Sequence, residues 1–212
     1  MITRSIKQLD LFRIADEVTG GIHYGADQEW YRTMLQRLSG CGPSTAANIL
    51  FYLFRRSEER APDTPPISKR DYVAHMEDVW QYVTPSTRGI PSAEMLCEGV
   101  VKYTKAKDIS IALNYIDIPK SVSLRPTFGD VLAFVGKALN DDTPVAFLNL
   151  NNGEIKQLDS WHWVTIISLD YEPDGSAAFA DILDAGQIKR IDFATWFRST
   201  TLGGGLVSMH LL

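Results

Sequence analysis

The spacing of apolar and polar positions changes near the middle of the chain, from a helical period to an alternating one. Residues 27–38 mix the two kinds at helical spacing, and Ser39-Gly-Cys-Gly-Pro43 then breaks the run. Ser44 to Phe54 (STAANILFYLF) is apolar on nearly all sides, which predicts a buried helix. Pro43 suits its first position, where a missing N–H costs nothing. Ser68 opens a second helix with Asp71 three residues on, and Tyr72, Val73, Met76, Val79, Trp80 and Val83 form its stripe. Ser92 caps a third, to about Lys105. Ile109 to Ile118 then alternates like a strand. Thr127 opens a helix over 128–139, again with an acid, Asp130, at the third position. Strand-like runs follow at Pro144–Leu150, His162–Tyr171, Ala177–Leu183, Ile188–Ile191 and Gly205–Leu212, with a short helix at 192–198 holding Phe193, Trp196 and Phe197. Glu172-Pro-Asp-Gly175 is a turn signal between two of these runs.

Helices first and antiparallel strands later predict an α+β fold. The expected organisation is one domain over 1–212, with a helical lobe at about 27–107 and a sheet lobe at about 108–212. Two segments read as exposed loops: Arg55–Ser68, charged and then proline-rich, and Thr84–Pro91. The 212 residues are 45% hydrophobic and 22% charged, which excludes a disordered or fibrous chain. Lys plus Arg number 21 against 26 Asp plus Glu, a net charge of −5 with no basic run, so nucleic acid is not an expected partner. No apolar stretch approaches 18 residues, so no membrane span is expected. The first residues lack a secretory pattern, and the expected location is the cytoplasm. Two cysteines make no disulfide framework and are expected as thiols.

Cys41 lies among small residues at the predicted start of the buried helix. Helix dipoles and unpaired N–H groups there favour a thiolate, and those N–H groups can also receive an oxyanion. The alternative is a small buried residue beside a glycine turn. His162 opens a strand between Trp161 and Trp163, either as a shielded base or as a packed core side chain. Asp184 ends the returning strand, either as the partner of that ring or as an ordinary turn residue. If the two strands pair with positions summing to 346, His162 faces Asp184 directly and their Cβ atoms are about 5 Å apart. Asp181, in mid-strand, is the fallback. A Cys, a His and an Asp in this order have the logic of nucleophile, base and orienting group.

With those residues in view, the chain resembles the papain-like cysteine peptidases, most closely the bacteriocin-processing (double-glycine leader) peptidase-like branch. Gly40-Cys-Gly-Pro43 matches the start of that branch's central helix, and His162-Trp-Val-Thr-Ile166 its histidine strand. Asp184-Ala-Gly186 resembles its closing element, with Ala185 where a proline is usual. The resemblance covers the chain from about Gln28 onward. It implies a papain-like fold and a thiol hydrolase acting on peptide or amide bonds through a thioester, with no metal or organic cofactor. Cys41 would be the nucleophile, His162 the general base and then acid, and Asp184 the orienting residue. Gln36 would supply the oxyanion amide, although it stands five residues before Cys41 where the family has about six. The implied substrate is a peptide or amide; the branch's domain is normally fused to a membrane part, and with no transporter segment read here a stand-alone bacterial protein is expected. The same fold also accommodates an acyltransferase or an inactive binding module.

Other residues read as structural. Cys97 lies within a helix, His23 and His75 lack ligand partners at metal spacing, and His210 alternates in the last strand. Gly203-Gly-Gly205 lacks the lysine of a phosphate loop. Asn149–Gly153 and Ser160-Trp161 either line a cleft or make a turn. Trp163 is expected in the core.

Overall fold

The computed structural model describes residues 1–57, 65–86 and 89–212. Positions 58–64 of the first expected loop and 87–88 of the second lie outside the described residues. The elements in order are strands β1 (Ile2–Ser5), β2 (Arg13–Ala15) and β3 (Ile22–Tyr24), and helices α1 (Met34–Ser39) and α2 (Cys41–Ser57). Then come β4 (Ile67–Ser68), α3 (Lys69–Trp80), α4 (Ala93–Ala106), β5 (Ile111–Ile118), α5 (Phe128–Asn140), β6 (Val145–Asn149) and β7 (His162–Tyr171). The chain closes with β8 (Ala178–Asp184), β9 (Gln187–Asp192), α6 (Phe193–Ser199) and β10 (Gly204–Leu211).

The fold is α+β and papain-like: a helical N-terminal part packs its buried helix α2 against an antiparallel sheet built mainly from the C-terminal half. The sheet runs β5-β10-β6-β7-β8-β9, and β1 adds to the far half of β7. α2 is buried continuously from Gly42 to Leu53, as its all-round apolar sequence requires. It begins at Cys41, two residues before the expected first position at Pro43, because Ser44 N–H already donates to Gly40 C=O at 2.9 Å. Pro43 therefore stands third in the helix, still within the first turn, where no N–H is needed. The expected caps are present. Ser68 accepts from Asp71 N–H, Ser92 from Met95 N–H, and Thr127 and Asp130 cap each other.

Residues 27–38 do not form one helix. A single 3-10 turn at Gln28–Trp30 precedes α1, and Thr33 caps α1 reciprocally with Gln36. The first 27 residues, for which the pattern predicts no element, supply β1, β2 and β3; the last two join β4 in a small separate sheet.

Candidate active site

β7 and β8 place the histidine and the acid. Thr165 pairs with Leu183 and Ile166 with Ile182, two residues away from the expected register, and a bulge follows between Ile166 and Ser168. A shift of two keeps the side chains on the His162 side of the bulge on their expected face, because strand side chains alternate with period two. His162 and Asp184 are thus diagonal rather than opposed, a separation that long side chains span. His162 Nε2 lies 2.8 Å from Asp184 Oδ1. Asp181, the fallback, bonds Arg190 instead.

Lys189, on β9, completes the acid's coordination by donating from Nζ to Asp184 Oδ2 at 2.6 Å. No reading of the sequence singled it out. The signal was local: Asp184 and Gln187 flank a two-residue turn, so Lys189, opposite Ile182, shares the face of Asp184.

Cys41, His162, Asp184 and Lys189 line one cavity of about 170 Å³. Cys41 enters it from the first turn of α2, where its backbone N–H has no intrahelical acceptor. Burial pushes the His162 ring towards its neutral form. The hydrogen bond it donates to Asp184 and the adjacent Cys41 side chain outweigh that and raise its pKa to about 10. Burial likewise opposes the charge on Asp184, but His162 and Lys189 together hold its carboxyl below the usual carboxylate range. The site thus favours an imidazolium between the Cys41 sulfur and a fixed carboxylate. Cys97 behaves differently: burial first, and then the charge of Asp117, push its thiol up to about 11.

The structure does not bring Gln36 into this cavity. Its amide oxygen accepts from Thr33 N–H and hydroxyl, and its Nε2 donates to Glu77 Oε2 at 2.7 Å. Both ends of the amide are spent on capping α1 and joining it to α3. A different glutamine, Gln28, lines the cavity from the 3-10 turn. Its Oε1 is buried without a hydrogen-bond partner among the described residues. A polar side chain placed thirteen residues before the cysteine and held by a turn leaves no spacing signal.

Asp159 lines the cavity, whereas Asn149 spends its amide on Asp159 C=O and Trp196 Nε1–H. Trp163 is buried and donates to Ile90 C=O, while Trp161 is 57% exposed with φ of 57°. His75 donates to Ala47 C=O at 3.0 Å, and burial keeps it neutral. Among the described residues no group of three or more His, Cys, Asp or Glu side chains is placed to hold a metal ion, and no helix is long and apolar enough to cross a membrane.

No protein-family model matches the chain, and no curated protein does. Among solved structures the chain is similar to the crystal structure of UfSP from C. elegans, with 13% identity and a TM-score of 0.53. All of this chain aligns with 34% of that one, so it spans about a third of the neighbour's length. At that identity the likeness shows the fold alone.

Proposed function

We propose that the chain is a thiol hydrolase of the cysteine-peptidase kind, acting on a peptide or amide carbonyl. The observation that carries this is His162, held at 2.8 Å by Asp184 in the cavity that Cys41 also lines. The Cys41 thiolate attacks the carbonyl carbon, and the carbonyl electron pair moves to oxygen. The Cys41 N–H at the start of α2 receives that oxyanion, and Gln28, which lines the same cavity, is the proposed second donor through its Nε2. The His162 imidazolium gives its proton to the departing amine as the C–N bond breaks, leaving a thioester. His162, now neutral, takes a proton from water, and the hydroxide releases the acid and the thiolate. Asp184 keeps the ring oriented throughout, so that Nδ1 faces the thiol while Nε2 faces the acid.

The test is the pH dependence of alkylation, read by mass spectrometry on both cysteines. Cys41 is expected to react rapidly near pH 6, where Cys97, its thiol pushed up to about 11, stays unmodified. Equal, slow reaction of both would remove the nucleophile from the proposal. The narrower placement in the double-glycine leader branch rests on Gly40-Cys-Gly-Pro43. It predicts cleavage after a Gly-Gly pair in a model leader peptide, abolished by Cys41→Ala.

A further inference from the structure

The two edges of the large sheet differ in chemistry. β9, at one edge, carries Lys189 and Arg190, charges that discourage pairing with another chain. β5, at the other, is eight residues long (IALNYIDI), with a single charge, Asp117, and no proline. Leu212 N–H donates to Ser110 C=O and Leu150 N–H to Gly203 C=O. Hydrogen bonding alternates along an antiparallel pair. The even-numbered residues of β5 therefore bond to β10, and Ile111, Leu113, Tyr115 and Asp117 point their N–H and C=O groups outward. Among the described residues nothing bonds to these outward groups.

We propose that a second copy of this chain pairs antiparallel along β5, extending the sheet across a two-fold axis at Asn114. That register sets Ile111 against Asp117 and Leu113 against Tyr115 of the other copy, so all four outward residues pair.

The helix above the edge favours a second copy over any other strand. α4 is acidic at its start, with Glu94 and Glu98, and basic at its end, with Lys102 and Lys105. These four line one groove with Cys97 and Val101 between them and with Leu113 and Tyr115 of β5. Ala93 packs over Gly205, which pairs with Asp117. From Asp117 to Asn114 is about 10 Å of strand, the length of about seven helical residues. The proposed axis thus passes beside Val100, the middle of α4. A two-fold there lays the acidic half of each α4 along the basic half of the other, with Glu94 near Lys105 and Glu98 near Lys102. Leu113, Tyr115, Cys97 and Val101 of both copies fill the space beneath. The groove is complementary to itself.

Sedimentation equilibrium over a concentration series tests this. The expected mass is twice the 23.7 kDa of the chain. Tyr115→Pro removes an outward N–H and no bond to β10, so it should yield a folded monomer. Glu94→Lys and Lys105→Glu should each weaken the dimer by about tenfold, and the double reversal should restore it. Residues 94 and 105 are about 16 Å apart along one helix, so that rescue reports a contact between copies, and it stands even if the proline variant fails to fold. A 23.7 kDa mass at every concentration, or a dimer indifferent to both charge reversals, would overturn the proposal. A monomer that instead binds an extended peptide along β5 would overturn the choice of a second copy.

Discussion

At the scale of single residues, the site is a contest between burial and pairing at His162. Its raised pKa ties the charged ring to the fold. The imidazolium's stabilising contribution is complete below the unfolded value of about 6.5 and is lost as pH rises through about 10. Asp184, with its value lowered, contributes in the opposite sense. Its share is present above about pH 4 and is lost as the solution is acidified through its folded value. An NMR titration of His162 should therefore show a midpoint well above that of an ordinary histidine, falling in Cys41→Ala and again in Asp184→Asn. An unchanged midpoint in both variants would show that neither partner holds the charge. In the proposed reaction Lys189 acts through Asp184, as a positioning residue. Lys189→Met leaves Oδ2 without its partner, so the acid becomes easier to protonate and the ring less firmly oriented. The acidic limb of the kcat/KM profile should move to higher pH, with KM little changed. A plain loss of stability with an unmoved profile would limit Lys189 to packing.

At the scale of elements, most boundaries were legible because capping and periodicity agree. Ser68, Ser92 and Thr127 start their helices where predicted, and β7 spans the expected His162–Tyr171. The N-terminal strands were not legible: three or four residues are too few for alternation to stand out, and β1 and β2 pair with strands distant in sequence. Gln36 misled for a related reason. It stood only one residue off the family's spacing, but Thr33 three residues before it made a capping box, which local chemistry favours. Asn48 illustrates what a buried helix keeps polar. Its Oδ1 accepts from Ala26 N–H at 2.8 Å and from Tyr72 hydroxyl at 2.6 Å, and its Nδ2 donates to Thr165 Oγ1. One side chain ties the loop bearing Gln28 to α2, α3 and β7. Asn48→Leu strands three buried groups and should cost about 3 kcal/mol, measurable by urea unfolding, and should lower activity by loosening that loop. The turn after Asp184 carries the opposite kind of defect. Ala185 has φ of 50° and Gly186 71°, a geometry that favours Asn-Gly. Ala185→Asn should stabilise the protein by about 1 kcal/mol, and a loss instead would mean that the methyl group packs usefully.

At the scale of the whole molecule, α2 has two ends with separate duties. Its start presents Cys41; its far half is anchored by Asp142, in the turn between α5 and β6. Tyr52 hydroxyl donates to Asp142 Oδ1 at 2.6 Å, Lys7 N–H donates to the same oxygen at 2.7 Å, and Arg56 bonds Asp142 C=O. Gln8 N–H in turn reaches the Tyr52 oxygen. One carboxylate thus joins the segment after β1, the central helix and the entry to β6. Tyr52 lies eleven residues from Cys41, about 16 Å along the helix, so the anchor and the chemistry are spatially distinct. Asp142→Ala leaves the Tyr52 O–H and the Lys7 N–H without their acceptor. It also forces alanine into a φ of 58°, for a combined cost of about 3 kcal/mol. For a chain of this length that lowers Tm by about 6–12 °C. Asp142→Asn keeps an acceptor oxygen and a side chain that tolerates this backbone, so it should recover most of the loss. Well below the lowered Tm, kcat/KM should match the parent in both variants, because the cavity residues keep their partners. A fall in kcat/KM without a fall in Tm would show instead that the position of Cys41 depends on the far end of its helix.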